Sequence, residues 1–162
     1  MDFFPPTYTE VSVLLKNGVI AIHPINPILF TGSWDGQIKL WNWDTNWSCI
    51  KTLSTSGGIT QIRLNQTYPA QLASVSLDKK IKIWNISNKE SVTIGGHEDI
   101  VNSVTFVAVG QTTHLAFSAD NFTIKLWNCK TKKTTATLHG IVRTKCQIFF
   151  KTTSGTMLKN YD

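Results

Sequence analysis

One short motif occurs three times in this chain of 162 residues, and the repeat restricts the fold more than any other feature. The three copies read SWDGQIKLWN at 33–42, SLDKKIKIWN at 76–85 and SADNFTIKLWN at 118–128. Their tryptophans follow one another at intervals of 43 residues: Trp41, Trp84 and Trp127. A unit repeated at a fixed period of this length indicates an architecture in which neighbouring copies bury each other's apolar faces.

Each copy also carries a serine and an aspartate ahead of its tryptophan. We interpret the following as structural residues of the repeat: Ser33, Asp35 and Trp41 in the first copy, Ser76, Asp78 and Trp84 in the second, and Ser118, Asp120 and Trp127 in the third. Apolar and polar residues alternate before each tryptophan, which is the period-2 pattern of a β-strand. The third copy has one extra residue, which predicts a looser turn or a bulge after Asp120.

Short strand patterns surround each copy, and no stretch has a convincing helical period. Four short strands in a unit of this length, separated by Gly, Pro, Asn and Asp turns, are typical of one blade of a β-propeller. We therefore expect an all-β chain that forms a single partial propeller over 1–162, with about three four-stranded antiparallel blades and ragged end strands. The predicted ranges are about 18–53, 59–94 and 99–138 for the blades and 139–162 for an incomplete further blade.

The third unit adds a histidine, His97, which lies 23 residues ahead of Asp120. We predict a buried network in which Asp120 accepts a hydrogen bond from His97, His97 contacts the Ser118 hydroxyl, and Ser118 meets the indole N–H of Trp127. Such a network satisfies polar groups that would otherwise be costly to bury. A nucleophilic triad of His97, Ser118 and Asp120 is the alternative. The same Ser-x-Asp recurs in two units without a histidine, so the blade interpretation explains more.

Other signs of chemistry are lacking in the sequence. It contains no Gly-rich phosphate loop, no metal-ligand spacing and no paired carboxylates outside the repeat, so we expect no enzyme, no cofactor and no metal. Its three cysteines, Cys49, Cys129 and Cys146, are widely spaced and predict buried, reduced thiols. The net charge is +6, but the basic residues are spread along the chain with no run longer than KTKK at 130–133. Direct nucleic-acid binding is therefore not expected.

The N-terminus lacks the features of a signal peptide, which predicts a cytosolic chain or one at the cytosolic face of a membrane.

The blade motifs ending in IKLWN resemble those of WD-repeat proteins. The run HPINPILFTGSWDGQIKLWNWDTNWSC at 23–49 is similar to a blade in the first propeller of coatomer beta-prime subunits, and the resemblance extends over about 20–140. The specific part is the turn with two additional tryptophans, Trp43 and Trp47. The resemblance implies that this pair marks the family rather than a binding site private to this chain.

The resemblance implies a role in the COPI vesicle coat, which assembles on Golgi membranes, sorts cargo with C-terminal dilysine signals and returns it to the endoplasmic reticulum. The chain would then be a non-catalytic scaffold with protein partners that include other coatomer subunits, located in the cytoplasm, on Golgi membranes and on COPI-coated vesicles. Its membrane association would be peripheral and would occur only through a coat. A generic WD-repeat adaptor in ubiquitin ligation or signalling is the alternative.

The chain departs from the family pattern at the dilysine pocket, where the resemblance implies acidic and basic side chains. The aligned positions hold Leu15, Gly18 and Trp34, none of which can pair with a lysine or a terminal carboxylate. We therefore expect that this chain does not itself hold dilysine cargo. The second unit also lacks a histidine, because the stretch at 54–58 reads STSGG.

Overall fold

The computed structural model describes residues 18–88, 90–94, 98–109, 112–119 and 123–139, with the backbone alone at 108–109 and 112–119. These residues form strands joined by turns, and no helix occurs among them. The first sheet contains β1 (Val19–Ile22), β2 (Ile28–Gly32), β3 (Gln37–Asn42) and β4 (Ser48–Ser54). The second contains β5 (Ile59–Leu64), β6 (Gln71–Ser76), β7 (Ile81–Asn85) and β8 (Ser91–Ile94). The third contains β9 (Val101–Val109), β10 (Thr112–Ala119), β11 (Thr123–Asn128) and β12 (Lys133–His139).

In all three sheets the strand order follows the chain, and each strand pairs antiparallel with its sequence neighbour. Four-stranded meanders of this kind are the blades of a propeller. The predicted all-β class and the four-stranded antiparallel blades of a partial propeller are therefore confirmed. The predicted further blade at 139–162 lies outside the described residues except for His139, which ends β12.

The strand register repeats from sheet to sheet. Each motif tryptophan lies opposite a leucine of the preceding strand: Leu29 opposite Trp41, Leu72 opposite Trp84, and Leu115 opposite Trp127. Ser118 pairs with Ile124, so by register it corresponds to Gly32 and Val75, and Ala119 corresponds to Ser33 and Ser76. The connection between the second and third strands therefore has the same length in all three sheets, and the third motif is longer because Ser118 lies one position earlier in the register than Ser33 and Ser76. The predicted bulge after Asp120 falls on residues outside the described set.

The first apolar core lies between the first and second sheets. Its members are buried side chains of β2 to β7: Phe30, Ile38, Leu40, Leu53, Ile59, Ile62, Leu64, Leu72 and Trp84. Because side chains alternate along a strand, Ile38 and Leu40 face this core from one side of β3 while Lys39 lies on the other. The tryptophan of the second motif therefore packs toward the first sheet, which ties the two blades together.

A second core joins the second and third sheets. It contains the buried residues Ala73, Val75, Ile81, Ile94, Val101 and Val104, with Trp127 and Cys129 packed beside them. Polar bonds between the inner strands β5 and β9 add to this contact. The Thr60 hydroxyl donates to the Val101 carbonyl at 2.8 Å, and the Val104 N–H donates to Gln61 Oε1 at 2.6 Å. Each motif tryptophan of the second and third units thus packs against the preceding blade.

Candidate functional site

The turns of the sheets lie at two opposite edges, since antiparallel strands reverse direction at each turn. The upper edge contains the turns between the second and third strands, at 33–36 and 77–80, and the connections between sheets, such as 55–58. The lower edge contains the turns at 23–27 and 43–47 in the first sheet, 65–70 in the second and 129–132 in the third. The motif serine and aspartate lie at the upper edge. The motif tryptophan lies near the lower edge.

Asp78 is the centre of a hydrogen-bonded cluster at the upper edge. Its Oδ1 accepts from the Ser76 hydroxyl at 2.5 Å and from the Lys80 N–H at 3.0 Å. Its Oδ2 accepts from the Ser56 hydroxyl at 2.5 Å. Ser56 lies in the connection between β4 and β5, so the carboxylate joins this connection to the turn between β6 and β7.

Competing effects act on the Asp78 carboxyl. Burial raises its pKa, but the hydrogen bonds from Ser56, Ser76 and the Lys80 backbone, together with the Lys80 charge, hold the pKa below its ordinary value. Hydrogen bonds to the ionised form favour that form, which is the physical reason for the shift. The cluster therefore stabilises the blade as a fixed anion and not as a proton donor.

Sequence reasoning missed Ser56. The second unit lacks the histidine expected ahead of its first strand, but a half-buried carboxylate such as that of Asp78 needs a donor and not a particular residue type. The Ser56 hydroxyl supplies that donor from the STSGG stretch. A hydroxyl within a few residues of the expected histidine position is the signal that could have found it.

The matching position in the first sheet is more open. Asp35 is exposed, and its Oδ1 accepts the Gln37 N–H at 2.8 Å. The Ser33 hydroxyl accepts from the Asp35 N–H at 3.3 Å instead of donating to its carboxylate. The serine and aspartate of the first motif thus form hydrogen bonds that differ from those in the second motif. More hydrogen bonds hold the turn of the second motif.

The motif tryptophans hydrogen-bond to hydroxyl groups on the neighbouring strand. Trp41 Nε1 donates to Thr31 Oγ1 at 2.9 Å, and Trp84 Nε1 donates to Ser74 Oγ at 2.8 Å. In these sheets the acceptor lies two residues before the motif serine. Lys82 Nζ lies 5.2 Å from the centroid of the Trp84 ring, a cation–π distance.

The third tryptophan is different. The buried Nε1 of Trp127 has no hydrogen-bond partner within the part of the chain that the structure describes. By register, the position of Thr31 and Ser74 is taken in β10 by Phe117, which carries no hydroxyl group. His97 and Asp120, and the side chain of Ser118, lie outside the described set. The network predicted for the third blade therefore stays a prediction.

We expect that the Phe117→Thr variant has a free energy of unfolding about 1 kcal/mol higher than the Phe117→Val variant, since only the threonine gives the Trp127 N–H an acceptor. The measurement is urea denaturation of the two variants side by side. Phe117→Val serves as the matched control, because valine has the shape of threonine without its hydroxyl. Equal stability of the threonine and valine variants would contradict the missing-acceptor explanation.

The turn with the two additional tryptophans lies at the lower edge. Trp43 and Trp47 pack with their ring centroids 6.3 Å apart and their planes tilted by 46°. Asn46 and Trp47 both have left-handed backbone angles, with φ of 55° and 57°. The turn is longer than its counterpart in the third sheet, since Asn42 pairs with Ser48 whereas Asn128 pairs with Lys133. The additional residue explains the second left-handed position, which is unusual for a bulky side chain.

Trp34 lies at the upper edge, at a position where the family resemblance implied a charged residue. Its side chain is 61% exposed. A Cβ added at Gly58 would lie 2.7 Å from the Trp34 carbonyl oxygen and 3.0 Å from its Cα, so the adjoining connection passes directly against Trp34. Gly18 is half-buried at the start of β1, and Leu15 lies outside the described residues. Neither Gly18 nor Trp34 brings a charge to this edge.

The remaining polar chemistry is sparse. Cys49 is exposed, so the expectation that its thiol is buried is wrong. Burial raises the pKa of the half-buried Cys129 thiol to about 11, which makes it a poor nucleophile. Cys146 lies outside the described residues.

Within the described ranges, no three His, Cys, Asp or Glu side chains are grouped so as to hold a metal ion. Nor does any helix there have the length and apolar content needed to cross a membrane.

Comparison with protein families accounts for the repeat. The model of the WD domain, G-beta repeat, matches at 15–42, 47–85 and 88–128, which together make up most of the chain. The chain belongs to the WD-repeat family. WD-repeat domains generally mediate protein–protein interactions.

Curated relatives include coatomer subunits. Coatomer subunit beta'-2 of Arabidopsis thaliana is 34% identical over 102 residues, which is 62% of this chain and 11% of the relative. Coatomer subunit beta' of Rattus norvegicus and that of Homo sapiens are each 37% identical over 82 residues, 49% of this chain and 9% of the relative. The resemblance predicted from the sequence is therefore confirmed. The chain spans about a tenth of the length of these relatives.

Proposed function

We propose that this WD-repeat chain is a non-catalytic interaction scaffold of the vesicle-coat type, which acts with coatomer subunits in traffic between the Golgi and the endoplasmic reticulum. The observation that carries the proposal is the similarity to coatomer beta' subunits from plants and mammals. The turn of Trp43 and Trp47, the most specific part of the sequence resemblance, adds support. The proposed location is the cytoplasm, the Golgi membrane and COPI-coated vesicles.

The bonding of the polar groups supports a scaffold and not an enzyme. The Asp78 carboxylate is occupied by Ser56, Ser76 and the Lys80 N–H, so it has a structural partner at each oxygen. The hydroxyls of Thr31 and Ser74 accept from tryptophans. These groups hold the blades in shape, which leaves the surfaces of the turns and outer strands for partner proteins.

The coat assignment is tested by affinity capture of the full chain from cells. Recovery of coatomer subunits in stoichiometric amounts, with the tagged chain located at the Golgi, is the expected result. Recovery of ubiquitin-ligase or signalling components, with diffuse or nuclear location, would instead support the generic adaptor and overturn the coat assignment.

A further prediction concerns dilysine cargo. A dilysine tail presents two ammonium groups and a carboxylate, and the aligned positions of this chain include Gly18 and the exposed Trp34. Losing a buried charge partner costs about 2–5 kcal/mol. A loss in the upper part of this range, about 4 kcal/mol, would move a site of micromolar affinity to the millimolar range. We therefore expect no saturable binding of a peptide that ends in a dilysine signal.

The measurement is a fluorescence-anisotropy titration of the labelled peptide with the full chain. A peptide with both lysines changed to serine is the control. Saturable micromolar binding of the dilysine peptide, lost in the serine control, would show that the chain does hold such cargo.

A further inference from the structure

Exposed apolar side chains from two sheets lie at the lower edge. Ile25 is 80% exposed in the first turn of the first sheet, and Trp43 is 37% exposed in its second turn. Tyr68 is 59% exposed in the first turn of the second sheet. The backbone joins the two turns of the first sheet, because the Trp43 N–H donates to the Pro27 carbonyl at 3.2 Å. The two turns of the first sheet that carry Ile25 and Trp43 are therefore held together by a backbone hydrogen bond.

The lower edge of the third sheet is basic. Its turn carries the exposed residues Lys130, Lys132 and Lys133, and Lys132 has a left-handed φ of 55°. Asn128 Oδ1 accepts the N–H groups of Lys130 and Thr131, each at 2.9 Å, which fixes the turn. The described part of this turn contains no acidic residue.

A contact between blades joins the first and second sheets at the lower edge. Lys51 of β4 donates through its ammonium group to the carbonyls of Ile86 and Ser87, in the turn after β7, which is a second turn at the lower edge of the second sheet. That ammonium group therefore bridges neighbouring blades at this edge. Asp44 and Glu90 also lie there, so the edge is mixed near the first two sheets and wholly basic at the described turn of the third.

We propose that this lower edge docks directly on an anionic lipid bilayer. Indole, phenol and aliphatic side chains enter the interfacial layer of a bilayer, where an apolar body meets a polar boundary. Lysines beside them are attracted by anionic headgroups. The inference rests on the surface alone and does not require the coat assignment. It differs from the sequence-based expectation that membrane association occurs only through a coat.

A bilayer fits this surface better than an acidic peptide does. The exposed apolar side chains lie on turns from different blades, so a broad, flat partner can contact several of them together. An acidic peptide would use the lysine turn but would have no need of Ile25 or Trp43. Whether binding depends on the apolar residues therefore distinguishes a bilayer from an acidic peptide.

The test is co-sedimentation of the full chain with vesicles of phosphatidylcholine alone and with vesicles that also contain phosphatidylserine, an anionic lipid. Binding only to the anionic vesicles is expected, with a decrease at high salt. Lys130→Gln with Lys133→Gln should weaken binding about 25-fold, from about fivefold for each lysine. The matched control is Lys79→Gln with Lys80→Gln at the upper edge, which removes the same charge and should change binding less than twofold.

A second variant tests the apolar contribution. Ile25→Ser with Trp43→Ser should weaken binding to anionic vesicles at least tenfold and leave the circular dichroism spectrum unchanged. The proposal is overturned if the chain does not bind anionic vesicles or if both lysine pairs have equal effects. It is also overturned if the serine variant binds normally while polyglutamate competes, since the partner would then be an acidic chain. None of these outcomes changes the recovery of coatomer subunits, so the coat proposal is tested separately.

Discussion

Replacing Trp84 by alanine is expected to lower the free energy of unfolding by about 3–5 kcal/mol, the usual cost of truncating a large core aromatic. The Trp84 side chain is 4% exposed and belongs to the core between the first and second sheets. Its indole N–H donates to Ser74 at 2.8 Å, and Lys82 lies over the ring. Alanine removes the packing and both polar contacts at once.

Trp43→Ala is the matched control, since it deletes the same side chain from an exposed turn. We expect this variant to stay within about 1 kcal/mol of the parent, because surface substitutions away from special features cost little. Urea denaturation followed by circular dichroism is the measurement, as both variants alter the fluorescence. Equal losses in the two variants would contradict the division between packing tryptophans and turn tryptophans.

Ser74→Ala separates packing from hydrogen bonding at the same place. It leaves the Trp84 indole in the core but removes the acceptor for its N–H. A buried donor without a partner costs about 1–3 kcal/mol, so this variant should lie between the parent chain and Trp84→Ala. A loss as large as that of Trp84→Ala would show that the hydrogen bond, and not burial of the ring, dominates.

The sequence predicted the blades because the repeat is both periodic and alternating. Trp41, Trp84 and Trp127 lie opposite equivalent leucines, so a fixed spacing in the chain became a fixed register in the sheets. A shift of one residue would exchange the faces of a strand, and the buried sides of β3 and β7 prevent such shifts. Strong patterning of this kind is the information that a single sequence carries best.

The hydrogen-bond partners were harder to predict. Thr31 and Ser74 are diagonal neighbours of the motif tryptophans across a strand pair, and this relation depends on register and side-chain direction. Ser56 contacts Asp78 from 22 residues earlier in the chain. Many donors are compatible with such a site, so residue type alone does not identify the one that is used. The exposed apolar side chains of the lower edge, such as Ile25 and Tyr68, likewise follow from turn geometry and not from the motif.

Replacing Asp78 by alanine is expected to lower the free energy of unfolding by about 2–4 kcal/mol at neutral pH. Hydrogen bonds to a charged group contribute more than neutral ones, and Asp78 accepts from two hydroxyls and a backbone N–H. Asp35→Ala is the matched control at the equivalent turn of the first sheet. Its carboxylate is exposed and accepts the Gln37 N–H, so about 1 kcal/mol is expected there.

The Asp78 contribution should also depend on pH in a defined direction. Its pKa is lowered in the folded chain, where burial is outweighed by the hydrogen bonds and the Lys80 charge. The folded state therefore favours the ionised carboxylate, and the stabilisation is fully present above the unfolded-chain pKa of about 3.9. As the pH falls from there through the lower folded-state pKa, protonation of Asp78 removes this stabilisation.

The stability difference between the parent chain and Asp78→Asn should shrink between neutral pH and about pH 3, because asparagine does not titrate. Urea midpoints for both chains across this range provide the measurement, and a difference that is constant with pH would contradict the role of Asp78 as a fixed anion.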